Sequence, residues 1–352
     1  MRENLIHGGD WAGFADAHGR LPLDFSASIS PLGVPTDVQA ALRDAAAQAD
    51  RYPDPLCRGL RAALSAHENV PAEHILCGNG AADLIFRAVL ARRPRRALVT
   101  APTFAGYQEA LALTDCAVEQ FRLKEEKNFS LDIDFLNAVT PETNMVFLCE
   151  PNNPTGVTTD PALLTRILER CRETGTLVVL DECFGAFLDA PEAHTRKGDL
   201  GKFPNLLILK AFTKLYAMAG VRLGYALCAD TELLERMRRA GQPWPVSSLA
   251  QAAGAAALRE TEYVLQVREL LAAERPRLAA ELRRLGMRVV PGEANYLLFA
   301  SPRELSAPLT ERGILLRCCG NFEGLDDSWY RAAVRTHEEN QRLVEALEEV
   351  LR

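Results

Sequence analysis

Two lysines and an arginine lie in a mostly apolar stretch of the sequence, LLILKAFTKLYAMAGVRLGYALC, at residues 206–228. Lys214 precedes Arg222 by eight residues, whereas Lys210 directly follows the apolar run LLIL. Charged side chains are rarely buried unless they are paired or functional. We therefore interpret one lysine as a covalent anchor and Arg222 as a ligand of a phosphate group. Lys210, at the end of its apolar run, is expected to be structural.

Polar and aromatic residues follow the other short apolar runs. GNGAAD follows HILC, PTFAGY follows ALVTA, EPNNPTG follows MVFLC, and Asp181 closes LVVLD. Because ligands of an open parallel sheet bind at the carboxyl ends of its strands, these segments are expected to converge. Glycines let the backbone approach an anion, and a helix N-terminus supplies free N–H groups. The set offers a phosphate cradle, a flat ring, an amide, an acid, a lysine and an arginine, as a pyridoxal phosphate site requires.

The apolar runs that carry these residues alternate with stretches of helical periodicity. The runs lie at 97–101, 145–149, 177–181, 206–209 and 225–228. A helix-like stretch such as ALLTRILERCRETG, with Gly175 as its C-cap, lies between them. This alternation predicts an α/β fold around a mostly parallel sheet.

The pattern changes after about residue 240. GQPWPVSS indicates a break, and the long helical stretch that follows contains Pro276, an expected kink or boundary. Shorter strand-like pieces, MRVV, NYLLFA, GILLRCC and WYRAAVRT, precede a last helix. We therefore expect an N-terminal arm at residues 1–40, a large cofactor-binding domain at 41–240 and a small α+β C-terminal domain at 241–352.

The composition limits the classes of partner. A net charge of -7 over 352 residues argues against general affinity for nucleic acids. The sequence contains no apolar run of about 18 residues, so we expect no membrane partner. Its nine cysteines are scattered without a CxxC pair, which predicts no metal site and is typical of a reducing cytoplasm.

Three of the motifs together resemble one enzyme superfamily. PNNPTG, the pair DE after an apolar run, and TK…GVRLGY are similar to the motifs of fold-type-I pyridoxal-phosphate enzymes, in the group of histidinol-phosphate aminotransferase and threonine-phosphate decarboxylase. The resemblance covers nearly the whole chain. It implies the fold-type-I transferase fold, a large and a small domain, and pyridoxal 5'-phosphate as the cofactor.

The resemblance also implies roles for individual residues. Lys214 would bind the cofactor covalently, and Asp181 would keep its pyridine nitrogen protonated. The remaining cofactor ligands would be Phe104 on the ring, Asn153 at the ring hydroxyl, and Gly80, Ala81, Thr213 and Arg222 at the phosphate. Tyr52, in RYPDP, is similar to a tyrosine that reaches the phosphate from the neighbouring subunit, which implies a homodimer with shared active sites.

Several segments favour the decarboxylase branch of the group. Phe184 stands in DECF, where histidinol-phosphate aminotransferases carry a tyrosine, and HGG, DFSASISPLG, LLRCCGNFEGL and RAAVRTHEENQRL resemble decarboxylase segments. Ser28 and Ser30 depart from the asparagines that are usual in DFSANINPLG, and this departure concerns the substrate and not the cofactor. The resemblance implies conversion of L-threonine O-3-phosphate to (R)-1-amino-2-propanol O-2-phosphate in cobalamin biosynthesis, with serine phosphate as an open alternative.

The substrate ligands follow from the same resemblance. Arg331 matches the arginine that binds the substrate carboxylate, and Arg317 and His7 are the expected ligands of its phosphate. Arg335 is a further candidate for the phosphate, but it is expected to face solvent. The competing function is a histidinol-phosphate-type aminotransferase that needs a 2-oxo acid acceptor, and Phe184 counts against it. A regulator that senses pyridoxal phosphate would carry an added helix-turn-helix domain, for which the first 40 residues are too short.

Overall fold

The helices and strands follow from a computed structural model of the chain, which describes residues 8–352. The helices are α1 Trp11–His18, α2 Thr36–Ala46, α3 Arg58–Glu68, α4 Gly80–Arg92, α5 Gly106–Leu111, α6 Phe135–Ala138, α7 Pro161–Thr174, α8 Pro191–His194, α9 Phe212–Leu215, α10 Thr231–Arg239, α11 Ser248–Ala257, α12 Thr261–Arg284, α13 Ser306–Glu311 and α14 His337–Leu351. The strands are β1 Leu23–Asp24, β2 Ile75–Gly78, β3 Arg96–Ala101, β4 Ala117–Arg122, β5 Met145–Cys149, β6 Leu177–Asp181, β7 Leu206–Ala211, β8 Gly224–Leu227, β9 Arg288–Val289, β10 Tyr296–Ala300, β11 Ile314–Leu315, β12 Arg317–Cys318 and β13 Trp329–Ala333.

The largest sheet has seven strands in the order β2-β8-β7-β6-β5-β3-β4. Neighbouring strands from β7 to β4 are parallel, and β8 runs antiparallel to both β7 and β2. The prediction of an α/β fold with a mostly parallel central sheet is confirmed. Because β7, β6, β5 and β3 are parallel, their carboxyl ends meet at one edge of the sheet.

The central strands are buried on both faces, which explains their continuous apolar sequences. Every residue of β5 and β6 is buried, and helices cover the two faces of the sheet. The connecting helix α7 begins after Asp160, whose side chain accepts hydrogen bonds from two backbone N–H groups, and ends at Gly175 in the left-handed conformation. This C-cap is the one that the sequence predicts.

A second sheet of four antiparallel strands lies in the C-terminal part of the chain, in the order β12-β13-β10-β9. Helices α12 and α14 pack against each other and contribute Leu271, Leu278, Leu343 and Leu347 to the core cluster that contains Leu297 and Phe299 of β10. Pro276 does not end a helix, since α12 continues through it to Arg284. The helical break lies instead between α11 and α12, at residues 258–260.

The segment GILLRCC, expected as one strand, forms two short strands with different partners. Residues 314 and 315 pair in parallel with Leu23 and Asp24 of β1, whereas 317 and 318 pair with β13. The N-terminal segment is therefore hydrogen-bonded to the C-terminal part of the chain. Across residues 8–352, the helices are too short or too polar to span a membrane.

Candidate active site

A cavity of about 420 Å³ lies at the carboxyl ends of the parallel strands of the large sheet. It also reaches the second sheet, through residues of β12 and β13. The predicted site residues that line the cavity are Ala81, Phe104, Asn153, Asp181, Thr213, Lys214, Arg222, Arg317 and Arg331. The fold thus brings together residues that are separated by up to 250 positions in the sequence.

One end of the cavity is shaped to hold an anion. Gly80 has φ +82°, and a Cβ atom there would lie 2.9 Å from Arg222 Nη2. A Cβ atom on Gly224 would lie 2.6 Å from the backbone nitrogen of Ala81, so the first turn of α4 and the start of β8 approach closely. The N-terminus of the 13-residue helix α4 and the Arg222 guanidinium lie at this end, and Thr213 also lines the cavity. The arrangement suits a phosphate group.

Lys214 lines the cavity from the short helix α9, which follows β7. Burial lowers the pKa of Lys214 to about 8, and the positive charges of Arg331 and Arg222 act in the same direction. Its Nζ lies 5.7 Å from the centre of the Phe184 ring. A lysine with this pKa is neutral in a useful fraction of molecules near pH 7, which a nucleophilic amine requires.

Asp181 is held by two hydrogen bonds at the end of β6. Tyr107 donates its hydroxyl to Asp181 Oδ2 at 2.8 Å, and the backbone N–H of Cys183 donates to Oδ1 at 3.0 Å. Tyr107 is fully buried, and its ring stacks on Phe147 at 4.8 Å. Burial and the neighbouring carboxylate raise the pKa of Tyr107 well above its usual range, so that the phenol stays a donor.

Tyr107 contacts the candidate site through Asp181, and it was not singled out from the sequence. It closes the segment PTFAGY, of which only Phe104 was assigned a role. The Tyr107 and Phe104 rings contact each other edge to face at 5.5 Å. An aromatic residue only three positions after Phe104, at the end of the same segment, is the signal that could have identified it.

Arg331 lies in β13 and is anchored by two other segments. Its Nη1 donates to Asn153 Oδ1 at 2.5 Å, and its Nη2 donates to the carbonyl oxygen of Ser26 at 2.8 Å. Its Nε is buried and has no hydrogen-bond partner among the described residues. The guanidinium also lies over the Tyr296 ring, 5.2 Å from its centre. Arg331 therefore has a fixed position and retains a donor for a ligand.

Arg317 lies directly beside Arg331, because the two residues are register partners in the β12–β13 pair. Arg317 donates from Nη2 to Asn321 Oδ1 at 2.7 Å, and its guanidinium lies 5.2 Å from the centre of the Phe322 ring. Burial lowers the pKa of Arg317, and the nearby charge of Arg331 acts in the same direction. An anion that enters the cavity would relieve this repulsion.

The serines of the N-terminal segment have different environments. Ser26 Oγ accepts a hydrogen bond from the Gly9 N–H at 2.8 Å and donates to Asp24. Ser28 is buried and lines the cavity, and its hydroxyl has no partner within residues 8–352. Ser30 accepts a hydrogen bond from the Tyr263 hydroxyl at 2.7 Å and does not line the cavity. Of the two departures from the asparagine pattern, only Ser28 is available to a ligand.

Three other residues from the sequence analysis lie outside the cavity, and a fourth cannot be placed. His7 falls outside the described residues. Tyr52 does not line this cavity and is 81% exposed. Arg335 donates to the Asp24 carbonyl oxygen and to Glu339, so it is engaged in structural contacts. Lys210 forms an ion pair with Glu68 at 3.1 Å, away from the cavity, in agreement with its predicted structural role.

Comparison with known proteins identifies the family. The model of the family "Aminotransferase class I and II" matches residues 22–347. The chain belongs to this family. It is therefore a pyridoxal 5'-phosphate-dependent enzyme, and the predicted fold type and cofactor are confirmed.

The names of the similar proteins describe two different activities. A threonine-phosphate decarboxylase of Salmonella typhimurium is 39% identical, over 99% of this chain and 97% of that protein. A histidinol-phosphate aminotransferase of Symbiobacterium thermophilum is 38% identical, over 92% of this chain and 88% of that protein. The crystal structure of the histidinol-phosphate aminotransferase from Clostridium acetobutylicum matches with a TM-score of 0.88 and 26% identity, covering 93% of this chain and 98% of that one.

The cavity fits the cofactor in both charge and chemistry. Gly80, Ala81 and Arg222 form an anion-binding end, and Thr213 lines the same cavity. Asp181 supplies a buried carboxylate in the cavity that also contains Lys214. Phe104 offers the aromatic face and Asn153 the amide that the sequence predicts for the ring and its hydroxyl. Among the described residues, no group of three or more His, Cys, Asp or Glu side chains could hold a metal ion.

Proposed function

We propose that this enzyme decarboxylates an O-phosphorylated amino acid. The substrate is L-threonine O-3-phosphate and the product (R)-1-amino-2-propanol O-2-phosphate, a precursor in cobalamin biosynthesis. One observation carries the proposal: Arg317 and Arg331 lie side by side in the cavity that contains Lys214. Two guanidinium groups suit a substrate with two anionic groups, a carboxylate and a phosphate. The similarity to the Salmonella typhimurium decarboxylase supports this choice.

A different arginine binds each anionic group of the proposed substrate. Arg331, fixed by Asn153 and Ser26, binds the carboxylate, because its unpaired Nε leaves it able to donate further. Arg317 binds the phosphate together with His7, which lies outside the described residues. Both arginines compensate locally for the overall charge of -7, which would otherwise repel a dianionic substrate.

The protein's own residues set the conditions for breaking the bond. When bound, the cofactor supplies an electron sink for the carbon that carries the amino group. Tyr107 orients Asp181, whose negative charge favours a protonated pyridine nitrogen. Arg331 fixes the carboxylate and so selects which of the bonds to this carbon is broken. The carbon–carboxyl bond breaks, CO₂ leaves, and Lys214, at its pKa of about 8, can deliver the proton that replaces it.

The second candidate is aminotransfer from a histidinol-phosphate-type substrate to a 2-oxo acid. The relative from Symbiobacterium thermophilum favours it, since that protein is 38% identical over most of this chain. Phe184 disfavours it, because its ring lies 5.7 Å from Lys214 Nζ and offers no hydroxyl to the cofactor. We therefore place it second.

The remaining features of the enzyme belong to the same proposal. We propose a cytoplasmic homodimer in which Tyr52 of each chain reaches the cofactor phosphate of the other. Its exposure of 81% in the single chain supports this role. We also propose that residues 1–40 act as an arm, 41–240 as the large domain and 241–352 as the small domain.

One experiment separates the two candidate functions. The enzyme is incubated with O-phosphothreonine, O-phosphoserine or histidinol phosphate, each with and without 2-oxoglutarate, and CO₂ and amine are measured. We expect stoichiometric CO₂ and amine from a phospho-amino acid without any 2-oxo acid. Product that forms only with 2-oxoglutarate, without CO₂, would reverse the assignment.

A further inference from the structure

Tyr52 is exposed, yet its surroundings hold it in place. Its ring stacks on Trp244, with ring centres 4.6 Å apart and planes at 25°. Trp244 is itself 42% exposed and contributes no side chain to the active-site cavity. The two rings therefore form an aromatic pair on the surface, with one face of Tyr52 covered by Trp244. Such a pair lowers the freedom of a side chain that no core contact restrains.

The backbone of Trp244 has an unusual conformation. Its φ is 51°, in the left-handed region that bulky side chains rarely adopt. Pro243 and Pro245 flank it, and a residue before proline is further restricted. Strained residues of this kind persist only where the surrounding structure fixes them, and they occur frequently at functional sites.

A single glutamine connects the loops that carry the two rings. Gln251 Nε2 donates to the carbonyl oxygen of Asp54, two residues after Tyr52, and to that of Val246, two residues after Trp244, both at 3.0 Å. The Asp54 carboxylate in turn accepts hydrogen bonds from the backbone N–H groups of Leu56 and Arg58. Both loops are thus fixed to α11 and α3, and the aromatic pair lies on a rigid base.

We propose that Trp244 is a positioning residue that holds Tyr52 in the orientation in which a second copy of this chain takes its phenol into the cofactor site. The proposal rests on the shared-site homodimer proposed above and adds the residue that preorganises it. A free tyrosine would lose rotamer freedom on docking, whereas a stacked one has already lost it. The occupant of this surface is a second copy, because the phenol of Tyr52 is 81% exposed and lies outside the cofactor cavity of its own chain.

Three substitutions at position 244 separate the effect of the aromatic ring from the effect of the backbone conformation. Trp244→Phe keeps a stacking ring and should retain affinity for pyridoxal 5'-phosphate. Trp244→Gly adopts the left-handed backbone without strain but removes the ring, so affinity should fall about 2- to 10-fold. Trp244→Ala should behave like the glycine variant. Leu113→Ala, at a surface position that is 59% exposed, serves as the matched control. The readout is the cofactor dissociation constant of the apoenzyme, with the thermal midpoint as a check of folding.

Mixed dimers then test whether Trp244 acts on the other subunit. In one pairing, a Lys214→Ala, Trp244→Gly double variant is combined with the unaltered chain. Its one working site should bind the cofactor weakly, since it receives an unsupported Tyr52. In the other, Trp244→Gly is combined with Lys214→Ala, and its one working site should bind normally.

Any other pattern overturns the role of Trp244. Equal behaviour of the two pairings would show that Trp244 does not act across the dimer, and the reverse pattern would place its effect in its own subunit. Tyr52→Ala in the same two pairings tests the shared site itself. If Tyr52→Ala shows no cross-subunit defect, the shared-site proposal fails. If it does and Trp244→Gly does not, only the inference about Trp244 fails.

Discussion

Arg317 and Arg331 face the same cavity from neighbouring antiparallel strands, where they are direct register partners. Their like charges are close enough for Arg331 to lower the pKa of Arg317. Arg331 is buried and Arg317 is partly buried, and like charges on neighbouring strands favour the binding of an anion beside them. The pair supports the proposed substrate, which carries a carboxylate and a phosphate.

Arg317→Ala should discriminate between phosphorylated and free amino acids. Removing a buried partner of a charged group costs about 2–5 kcal/mol, which corresponds to roughly 30- to 4,000-fold in kcat/KM. We expect this loss for O-phosphothreonine and a much smaller loss for threonine, whereas Arg331→Ala should impair both. Arg312→Ala, at a surface ion pair with Glu349, is the control. Equal losses for both substrates in Arg317→Ala would exclude Arg317 as the phosphate ligand.

Tyr107→Phe should weaken the function of Asp181 without changing the fold. The substitution removes one hydrogen bond to a charged group, worth about 1.5–3 kcal/mol, so kcat should fall about 10- to 150-fold. Tyr330→Phe is a suitable control, because Tyr330 is also buried but does not line the cavity. Steady-state kinetics and the absorption spectrum of the bound cofactor provide the measurements. An unchanged kcat would show that Asp181 needs no support from Tyr107.

The capture of cofactor by the apoenzyme should depend on pH through Lys214. Its pKa is lowered from 10.5 to about 8, and only the neutral amine attacks an aldehyde. The second-order rate constant should therefore rise about tenfold per unit below pH 8 and level off above it. Stopped-flow absorbance checks this, with Lys214→Ala as the control for non-covalent binding. A rate that is still rising at pH 10 would contradict the lowered pKa.

The lowered pKa of Lys214 also makes the free energy of unfolding depend on pH. The folded apoenzyme releases the Lys214 proton near pH 8, whereas the unfolded chain keeps it until about pH 10.5. Since the unfolded state binds more protons in this window, Lys214 makes the folded state more stable as pH rises from 8 to 10.5. The difference in unfolding free energy between Lys214→Met and the unaltered chain should shrink over this range, as measured by urea denaturation.

Gly80→Ala should weaken cofactor binding beyond its cost to stability. Gly80 and Gly175 both have positive φ, +82° and +70°, so alanine strains the backbone at either position. Only at Gly80 would the new methyl group meet Arg222 Nη2, at 2.9 Å, whereas Gly175 has open space. We expect similar losses of thermal stability in both variants and weaker binding of pyridoxal 5'-phosphate in Gly80→Ala alone. Equal cofactor affinities would argue against the proposed phosphate cradle.

The sequence by itself determined the sheet and the residues that close its strands. β5 and β6 have the bounds of the apolar runs MVFLC and LVVLD, because strands buried on both faces consist of continuous apolar residues. Asp181 and Lys214 could be assigned from local motifs, since the carboxyl ends of parallel strands share one edge. The prediction of the cofactor came from these residues at the strand ends, and the resemblance to the superfamily then assigned the roles of Lys214 and Asp181.

Only the tertiary structure decided which distant residues support that site. The Tyr107–Asp181 hydrogen bond spans 74 positions and the Arg331–Ser26 hydrogen bond 305, and no periodicity relates residues so far apart. In the sequence, Ser28 and Ser30 both stand where asparagines are usual. In the structure, only Ser30 forms a hydrogen bond with Tyr263. The stacking of Trp244 on Tyr52 likewise depends on how two loops meet through Gln251. Local sequence sets strands and turns, whereas such contacts arise only when packing brings separate segments together.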